Sequence, residues 1–267
     1  MVGPVSTEDR VGTDASVSRR SLHVEVLIVL GLSLGASALW SILRIVERLT
    51  RAVPLGQQTS SLNNSVTPDR PWLDLAYQLV GIGLALMPVA LVLYLLARVA
   101  PVPGGARHAL GLDLRRPGLD LGGGVALAAL IGIPGLGLYA AATALGLNTQ
   151  VQPANLAGAW WTVPVLVLSA AQNALLEEVV VVGYLLTRLD QAGWRWGWAL
   201  AASALVRGSY HLYQGFGGFV GNVVMGVVFA LVWRRWRRVG PLVVAHALID
   251  VVAFVGYALL KGHVPWL

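Results

Sequence analysis

Long apolar runs separated by short polar segments dominate this chain. Seven of the runs approach the roughly 20 residues that an α-helix needs to cross a lipid bilayer. They cover residues 22–46, 72–96, 119–145, 161–186, 194–212, 218–233 and 241–260. Tryptophans lie at many of their ends, as is typical of helices anchored at membrane interfaces. The pattern predicts an all-α, polytopic helical bundle in a membrane, with about seven transmembrane helices.

The composition agrees with a membrane protein and excludes several functions. Hydrophobic residues make up 56% of the chain and charged residues only 12%, whereas soluble domains have about 25% charged residues. The chain has no cysteine, which excludes disulfides, thiolate metal sites and a cysteine nucleophile. The net charge of +6 comes from short basic clusters between apolar runs, where topology signals lie. We therefore expect membrane lipid as a partner and no nucleic acid.

The polar segments predict the organisation of the chain. Residues 1–21 lack any apolar period and are expected to form a disordered cytoplasmic tail. Residues 22–267 are then a single transmembrane domain. With a cytoplasmic N-terminus, thirteen of the 19 basic residues fall in cytoplasmic segments and four outside, which is the positive-inside bias. All basic residues except Lys261 are arginine, which indicates a GC-rich, bacterial genome and hence a bacterial cytoplasmic membrane.

Polar side chains recur within the last four apolar runs. Charged groups in lipid are costly and commonly functional, and two adjacent glutamates lie in the fourth run. Arg207 with His211 and His246 with Asp250 have i,i+4 spacing, which places each pair on one helix face. The sequence therefore predicts one shared buried site. Its candidates are Glu177, Glu178, Arg207, His211, Asn222, His246 and Asp250.

These side chains suit hydrolysis of an amide without a serine or cysteine nucleophile. A glutamate can take a proton from water as general base, while imidazoles orient that water and stabilise an oxyanion. Two histidines and carboxylates can instead hold Zn²⁺ with an open coordination position. The metal candidates are then Glu177, His211, His246 and Asp250. A metal-free mechanism is equally compatible with the sequence.

The spacing of these residues resembles that of a known family. The segments Glu177-Glu178-x-x-x-x-Gly183-Tyr184, Arg207-Gly-Ser-Tyr-His211 and His246-x-x-x-Asp250 occur in this order. They resemble the motifs of the CAAX-protease and bacteriocin-processing (CPBP, or Abi) family of intramembrane endopeptidases. The family core would cover residues 161–260, and the resemblance implies a peptide-bond hydrolase, often described as a metalloprotease.

By this resemblance, Glu177 is the water-activating base and Glu178 its partner. His211, His246 and Asp250 complete the catalytic set, with Arg207 and Asn222 as supporting residues. The implied substrate is a membrane-associated protein or peptide. The bacterial origin favours a peptide leader or a membrane protein over a prenylated CAAX protein.

Two positions depart from the family motifs. Val182 stands where the family has arginine after the two glutamates, and Arg207 stands where the family has phenylalanine before the histidine. The arginine that is absent at position 182 would thus be replaced by Arg207 on the following helix, where its guanidinium can pair with Glu178. The alternative is a catalytically degenerate scaffold of the same fold.

A second alternative and a question of depth also arise from the sequence. Carboxylates and histidines inside spans are equally typical of proton-coupled transporters, although the chain shows no clear internal repeat.

His211 would lie near the outer end of its span, whereas Glu177 and His246 would lie nearer the cytoplasm. We expect residues 215–218 to fold back into the protein and close this gap.

Overall fold

The computed structural model describes residues 18–99, 104–156, 158–261 and 263. Most of the predicted tail, residues 1–17, lies outside these ranges. Helix α1 begins at Arg19, inside that predicted tail, because Ser18 caps it by accepting a hydrogen bond from the backbone N–H of Ser21 at 3.1 Å.

Helices dominate the described residues, as the apolar runs predict. In chain order they are α1 (Arg19–Gly31), α2 (Leu34–Leu49), α3 (Pro71–Ala85), α4 (Met87–Val99), α5 (Gly105–Ala109), α6 (Pro117–Ala144), α7 (Thr162–Glu177), α8 (Leu185–Gln191), α9 (Trp196–His211), α10 (Phe216–Trp236) and α11 (Gly240–Leu260). A π-helical segment, Glu178–Tyr184, joins α7 to α8. Short 3₁₀ turns cover Leu55–Gln57 and Leu212–Gln214.

The helical membrane bundle is confirmed, but the number of seven spans is not. Among the described residues, five helical stretches are long and apolar enough to cross a membrane, and six if the bent pair α1–α2 counts as one span. That pair bends by 56° at Ser33, whose backbone leaves the helical region. Helix α9 has 16 residues, about 24 Å at 1.5 Å per residue, and is shorter than the predicted run.

The centre of the bundle is the long stretch formed by α7, the π-helical segment and α8. In its most apolar 18-residue segment, 61% of the residues are buried. The corresponding share is 11–28% in the other four stretches found among the described residues. The four consecutive valines Val179–Val182 are all 0% exposed. The remaining helices therefore surround the segment that carries the two glutamates.

Two short strands cover one end of the bundle. Strand β1 (Thr59–Ser61) pairs in parallel with β2 (Gln150–Gln152), with Thr59 opposite Gln150. Further bridges join Asn64 to Asn155 and Asn148 to Gly215. We call residues 59–64 and 148–155 the strand cap. It connects two loops that are distant in sequence and holds them against the α9–α10 turn.

The expected fold-back of residues 215–218 is wrong. The irregular backbone is instead the short turn after α9, and α10 begins directly at Phe216. Gly215 has a φ of 118°, a value that favours glycine. The strand cap contacts the end of α9 instead, through hydrogen bonds to the carbonyl oxygens of Tyr213 and Gln214.

Candidate active site

The two glutamates lie at the junction between α7 and the π-helical segment. Glu177 is the last residue of α7, and Glu178 is the first residue of the wider helix. Isolated π-helical turns are rare and often occur at functional sites. The Glu178 side chain is 0% exposed and that of Glu177 is 10% exposed, so both carboxylates need partners within the protein.

Arg207 on α9 contacts both carboxylates. Its Nη2 donates to Glu178 Oε1 at 2.7 Å, and its Nη1 makes a longer contact to Glu177 Oε2 at 3.5 Å. The guanidinium is 0% exposed, as is Val182, the residue at the family's arginine position. The cation beside the glutamates therefore comes from α9.

His246 on α11 connects the glutamates to Asp250. Its Nδ1 lies 2.7 Å from Glu178 Oε1. That oxygen also accepts from Arg207, and we assign the hydrogen of the imidazole contact to Nδ1, so that Glu178 Oε1 accepts both hydrogen bonds. Nε2 then faces Glu177 Oε2 at 3.9 Å and Asp250 Oδ2 at 3.8 Å. These separations exceed a direct hydrogen bond and suit one intervening water.

Tyr210 is a site residue that sequence reasoning missed. Its hydroxyl donates to Glu177 Oε2 at 2.8 Å, and the residue is only 6% exposed. The one available signal was its position three residues after Arg207, on the same face of α9. Tyr210 and Arg207 together hold the Glu177 carboxylate in one orientation.

His211 lies beside this group without a direct hydrogen bond to either glutamate among the described contacts. Its ring packs against Tyr210 with the centroids 4.7 Å apart. Its Nδ1 donates to the Arg207 carbonyl oxygen at 3.2 Å, because a carbonyl can only accept. The lone pair of a neutral His211 is therefore on Nε2.

Asp250 and Asn222 have different surroundings. Asp250 faces His246 and accepts a hydrogen bond from Asn173 Nδ2 on α7 at 3.3 Å. Asn173 is a second contact that sequence reasoning missed. Asn222 donates to the Gly218 carbonyl oxygen of its own helix at 2.9 Å, so this contact does not link it to the glutamates.

The donor groups of this site fit a divalent cation. Glu177, Glu178 and His246 each offer one ligand atom within 4.8 Å of the others. Glu178 Oε2 is buried and has no hydrogen-bond partner among the described residues. Imidazole and carboxylate groups are typical Zn²⁺ ligands. This set shares Glu177 and His246 with the predicted metal candidates and contains Glu178 in place of His211 and Asp250.

The arrangement therefore combines three chemical features at one buried point. It offers a carboxylate base, Glu177, held by a phenol and a guanidinium. It offers an imidazole nitrogen, Nε2 of His246, whose opposite nitrogen is bound by Glu178. It also offers a further carboxylate, Asp250, on the same side as that imidazole nitrogen. Such a set can bind and deprotonate a water molecule.

Comparison with known proteins agrees with this geometry. Residues 159–252 match the family model described as type II CAAX prenyl endopeptidase Rce1-like. The match covers α7 to most of α11 and includes every candidate residue discussed above. It confirms the resemblance to the CPBP family over this part of the chain. No curated protein and no solved structure matches the chain.

Proposed function

We propose that this protein is an intramembrane endopeptidase that hydrolyses a peptide bond of a membrane-associated protein or peptide with water activated by Glu177. The observation that carries the proposal is the convergence of Glu177 Oε2, His246 Nε2 and Asp250 Oδ2, with separations of 3.8–3.9 Å around the imidazole nitrogen. A water that donates one hydrogen to His246 Nε2 and the other to Glu177 Oε2 can lie at ordinary hydrogen-bond distances from both atoms.

The proposed reaction begins with this water. Glu177 accepts one of its protons while the water oxygen attacks the carbonyl carbon of the peptide bond. Stabilisation of the oxyanion that forms needs a proton donor, which His246 supplies when its Nε2 also carries a proton. Glu177 then returns the proton to the leaving nitrogen, the C–N bond breaks, and the products are a carboxylic acid and an amine.

The other residues keep Glu177 in the right state and position. Arg207 and the Nδ1–H of His246 both donate to Glu178 Oε1, which offsets the charge of that carboxylate. Glu177 is then free to act as the base. Tyr210 fixes its carboxylate through the 2.8 Å hydrogen bond. If a divalent cation is bound by Glu177, Glu178 and His246, it supplies Lewis-acid polarisation of the water or the carbonyl.

The family match supports a membrane-associated protein or peptide as the substrate class. The chain itself is an integral membrane protein by its apolar helices. Because the arginine bias of the sequence indicates a bacterial genome, we assign the protein to a bacterial cytoplasmic membrane. Its substrate is then a peptide leader or a membrane protein.

Glu177→Gln tests the proposed base. The amide keeps the shape of the side chain and an oxygen for Tyr210, but it cannot take a proton from water, so hydrolysis should fall by about 10²–10⁴-fold or more. The assay is cleavage of a reporter membrane peptide in proteoliposomes. Glu47→Gln, at an exposed glutamate on α2, is the matched control and should keep wild-type activity.

The same vesicles distinguish the protease from a transporter. Proton flux is recorded beside reporter cleavage, and a protease shows cleavage without flux. Activity of Glu177→Gln within about tenfold of wild type contradicts the role of Glu177, since loss of a general base costs more than that. Proton flux that Glu177→Gln abolishes, without any cleavage by wild type, contradicts the proposed activity itself.

A further inference from the structure

A line of polar side chains runs along α7 from the strand cap to the glutamates. Ser169, Asn173 and Glu177 are four residues apart and therefore share one helix face. Ser169 Oγ donates to Asn63 Oδ1 of the strand cap at 2.7 Å. Asn173 Nδ2 donates to Asp250 Oδ2 at 3.3 Å. Each step of this line has a polar partner on another element.

The line is short. Eight residues separate Ser169 from Glu177, which is about 12 Å along a helix. The strand cap thus lies close above the candidate site, even though it belongs to loops between spans. A polar side chain in lipid costs free energy unless it is paired or hydrated. The presence of Ser169 and Asn173 in a membrane-spanning helix therefore needs an explanation beyond the loops or α7 alone.

Contacts at the end of α9 independently place the strand cap close to the candidate site. Tyr213, two residues after His211, accepts a hydrogen bond at its carbonyl oxygen from Ser60 Oγ of β1 at 3.3 Å. The carbonyl oxygen of Gln214 accepts from the backbone N–H of Thr149 at 2.9 Å. The strand cap therefore lies against the end of α9 that carries Tyr210 and His211.

Exposure of the site decreases away from the strand cap. The Asp250 side chain is 17% exposed, that of Glu177 10% and that of Glu178 0%. Beyond Glu178, Val179–Val182 are all 0% exposed. Ser169 and Asn173 are half-buried, so the open side of the site is the side that carries the polar line.

We propose that water and the polar backbone of a substrate reach Glu177 from the face that carries the strand cap, along Ser169 and Asn173 between α7 and α11. The apolar π-helical segment closes the opposite side. This route is a property of the fold and holds whatever reaction the glutamates perform.

Cysteine labelling tests the route, and the natural chain contains no cysteine. Single substitutions Ser169→Cys and Asn173→Cys are treated in sealed vesicles with a charged, membrane-impermeant thiol reagent applied from either side. Ser61→Cys, exposed on β1, reports which side the strand cap faces. Asp190→Cys, exposed at the end of α8, reports the opposite side. Leu168→Cys, an apolar position next to Ser169 that is 47% exposed and that we expect to face lipid, is the matched control.

We expect Ser169→Cys and Asn173→Cys to react from the same side as Ser61→Cys. They should react at least about tenfold faster than Leu168→Cys, because a thiol in lipid stays protonated and unreactive. Reaction from the side that labels Asp190→Cys overturns the proposal, as does reaction no faster than that of Leu168→Cys.

The labelling is repeated with Glu177→Gln added. Unchanged rates in this background support a route that is independent of catalysis, even if the protease assay finds no activity. Loss of labelling when Glu177 is changed contradicts the proposal, because the polar line then depends on the state of the catalytic group. Two independent reporter positions keep the test decisive if one variant does not fold.

Discussion

At the scale of single residues, we propose that the site depends most on Arg207. It is fully buried and contacts both glutamates. Two carboxylates so close together repel each other unless a cation offsets their charge. In this chain no other arginine or lysine within the described residues forms an ion pair with either glutamate. We therefore propose that Arg207 supplies the positive charge that Val182 cannot supply.

Replacement of Arg207 tests this role. Arg207→Leu should lose at least about a hundredfold in hydrolysis at neutral pH, because one carboxylate then holds a proton and the base is no longer free. Activity should recover partly at higher pH. Breaking a buried ion pair also costs about 3–5 kcal/mol of stability, so the melting temperature in detergent is measured with the pH–rate profile.

Two further variants separate charge from fold. Arg207→Lys keeps the positive charge but not the two-pronged geometry, so its activity should lie between wild type and Arg207→Leu. Adding Val182→Arg to Arg207→Leu should recover part of the loss, as expected for two positions that serve one partner. Wild-type activity of Arg207→Leu at all pH values would show that its charge is not needed.

At the scale of elements, the π-helical segment depends on α9. A π-helix leaves its backbone in an uncommon arrangement, and Ser203 on α9 donates to the Val181 carbonyl oxygen at 2.8 Å. Both residues are 0% exposed. Ser203 and Arg207 are four residues apart, so one face of α9 holds the segment at two points. We infer that Ser203 is a positioning residue for the glutamates.

Ser203→Ala should lower the turnover rate with little change in KM, because the buried carbonyl loses its donor and the glutamates shift. Loss of this hydrogen bond also costs about 0.5–1.5 kcal/mol of stability. Ser203→Thr, which keeps the hydroxyl, should restore turnover. Ser209→Ala is the matched control, since Ser209 on the same helix is half-buried and, among the described contacts, its hydroxyl donates to the Leu205 carbonyl oxygen of its own helix. Equal turnover rates of Ser203→Ala and Ser209→Ala would refute the positioning role.

At the scale of the whole molecule, an ionic network at one end of the bundle joins the first turn of α6 to the α10–α11 turn. Arg238 donates to both carboxylate oxygens of Asp120 at 2.8 and 2.6 Å and to Asp113 at 3.0 Å. His108 contacts the other Asp113 oxygen at 2.6 Å. The hydrogen bond from His108, aided by Arg238, holds the pKa of Asp113 well below its usual value.

This network predicts a loss of stability in acid. Because the pKa of Asp113 is lower in the folded protein, the stabilisation is fully present above the usual carboxyl pKa, near 4, and is lost as pH falls further. Melting temperatures measured between about pH 5 and pH 3 should fall less steeply for Asp113→Asn than for wild type. Asp190→Asn, at an exposed position, should follow wild type. Parallel curves for all three proteins would exclude the contribution of Asp113.

Much of the architecture could be predicted from the sequence because its physical causes are local. A run of about 20 apolar residues must form a helix in lipid, since the backbone finds hydrogen bonds only within itself. Residues four apart share a helix face, so Arg207 with His211 and His246 with Asp250 could be assigned to facing surfaces. The cost of charge in lipid was enough to predict a functional site at Glu177 and Glu178.

Other features were decided only by the tertiary structure. Tyr210 and Asn173 belong to the site because of which helix faces meet, and tyrosine and asparagine alone carry no signal of that. The pairing of Thr59–Ser61 with Gln150–Gln152 joins segments about 90 residues apart, and so short a pairing leaves no recognisable pattern in sequence. The bend at Ser33, the shortness of α9 and the π-helical turn at Glu178 likewise depend on packing. Local sequence determined where charge lies along each helix, whereas the packing of the helices determined which charges meet and from which face they can be reached.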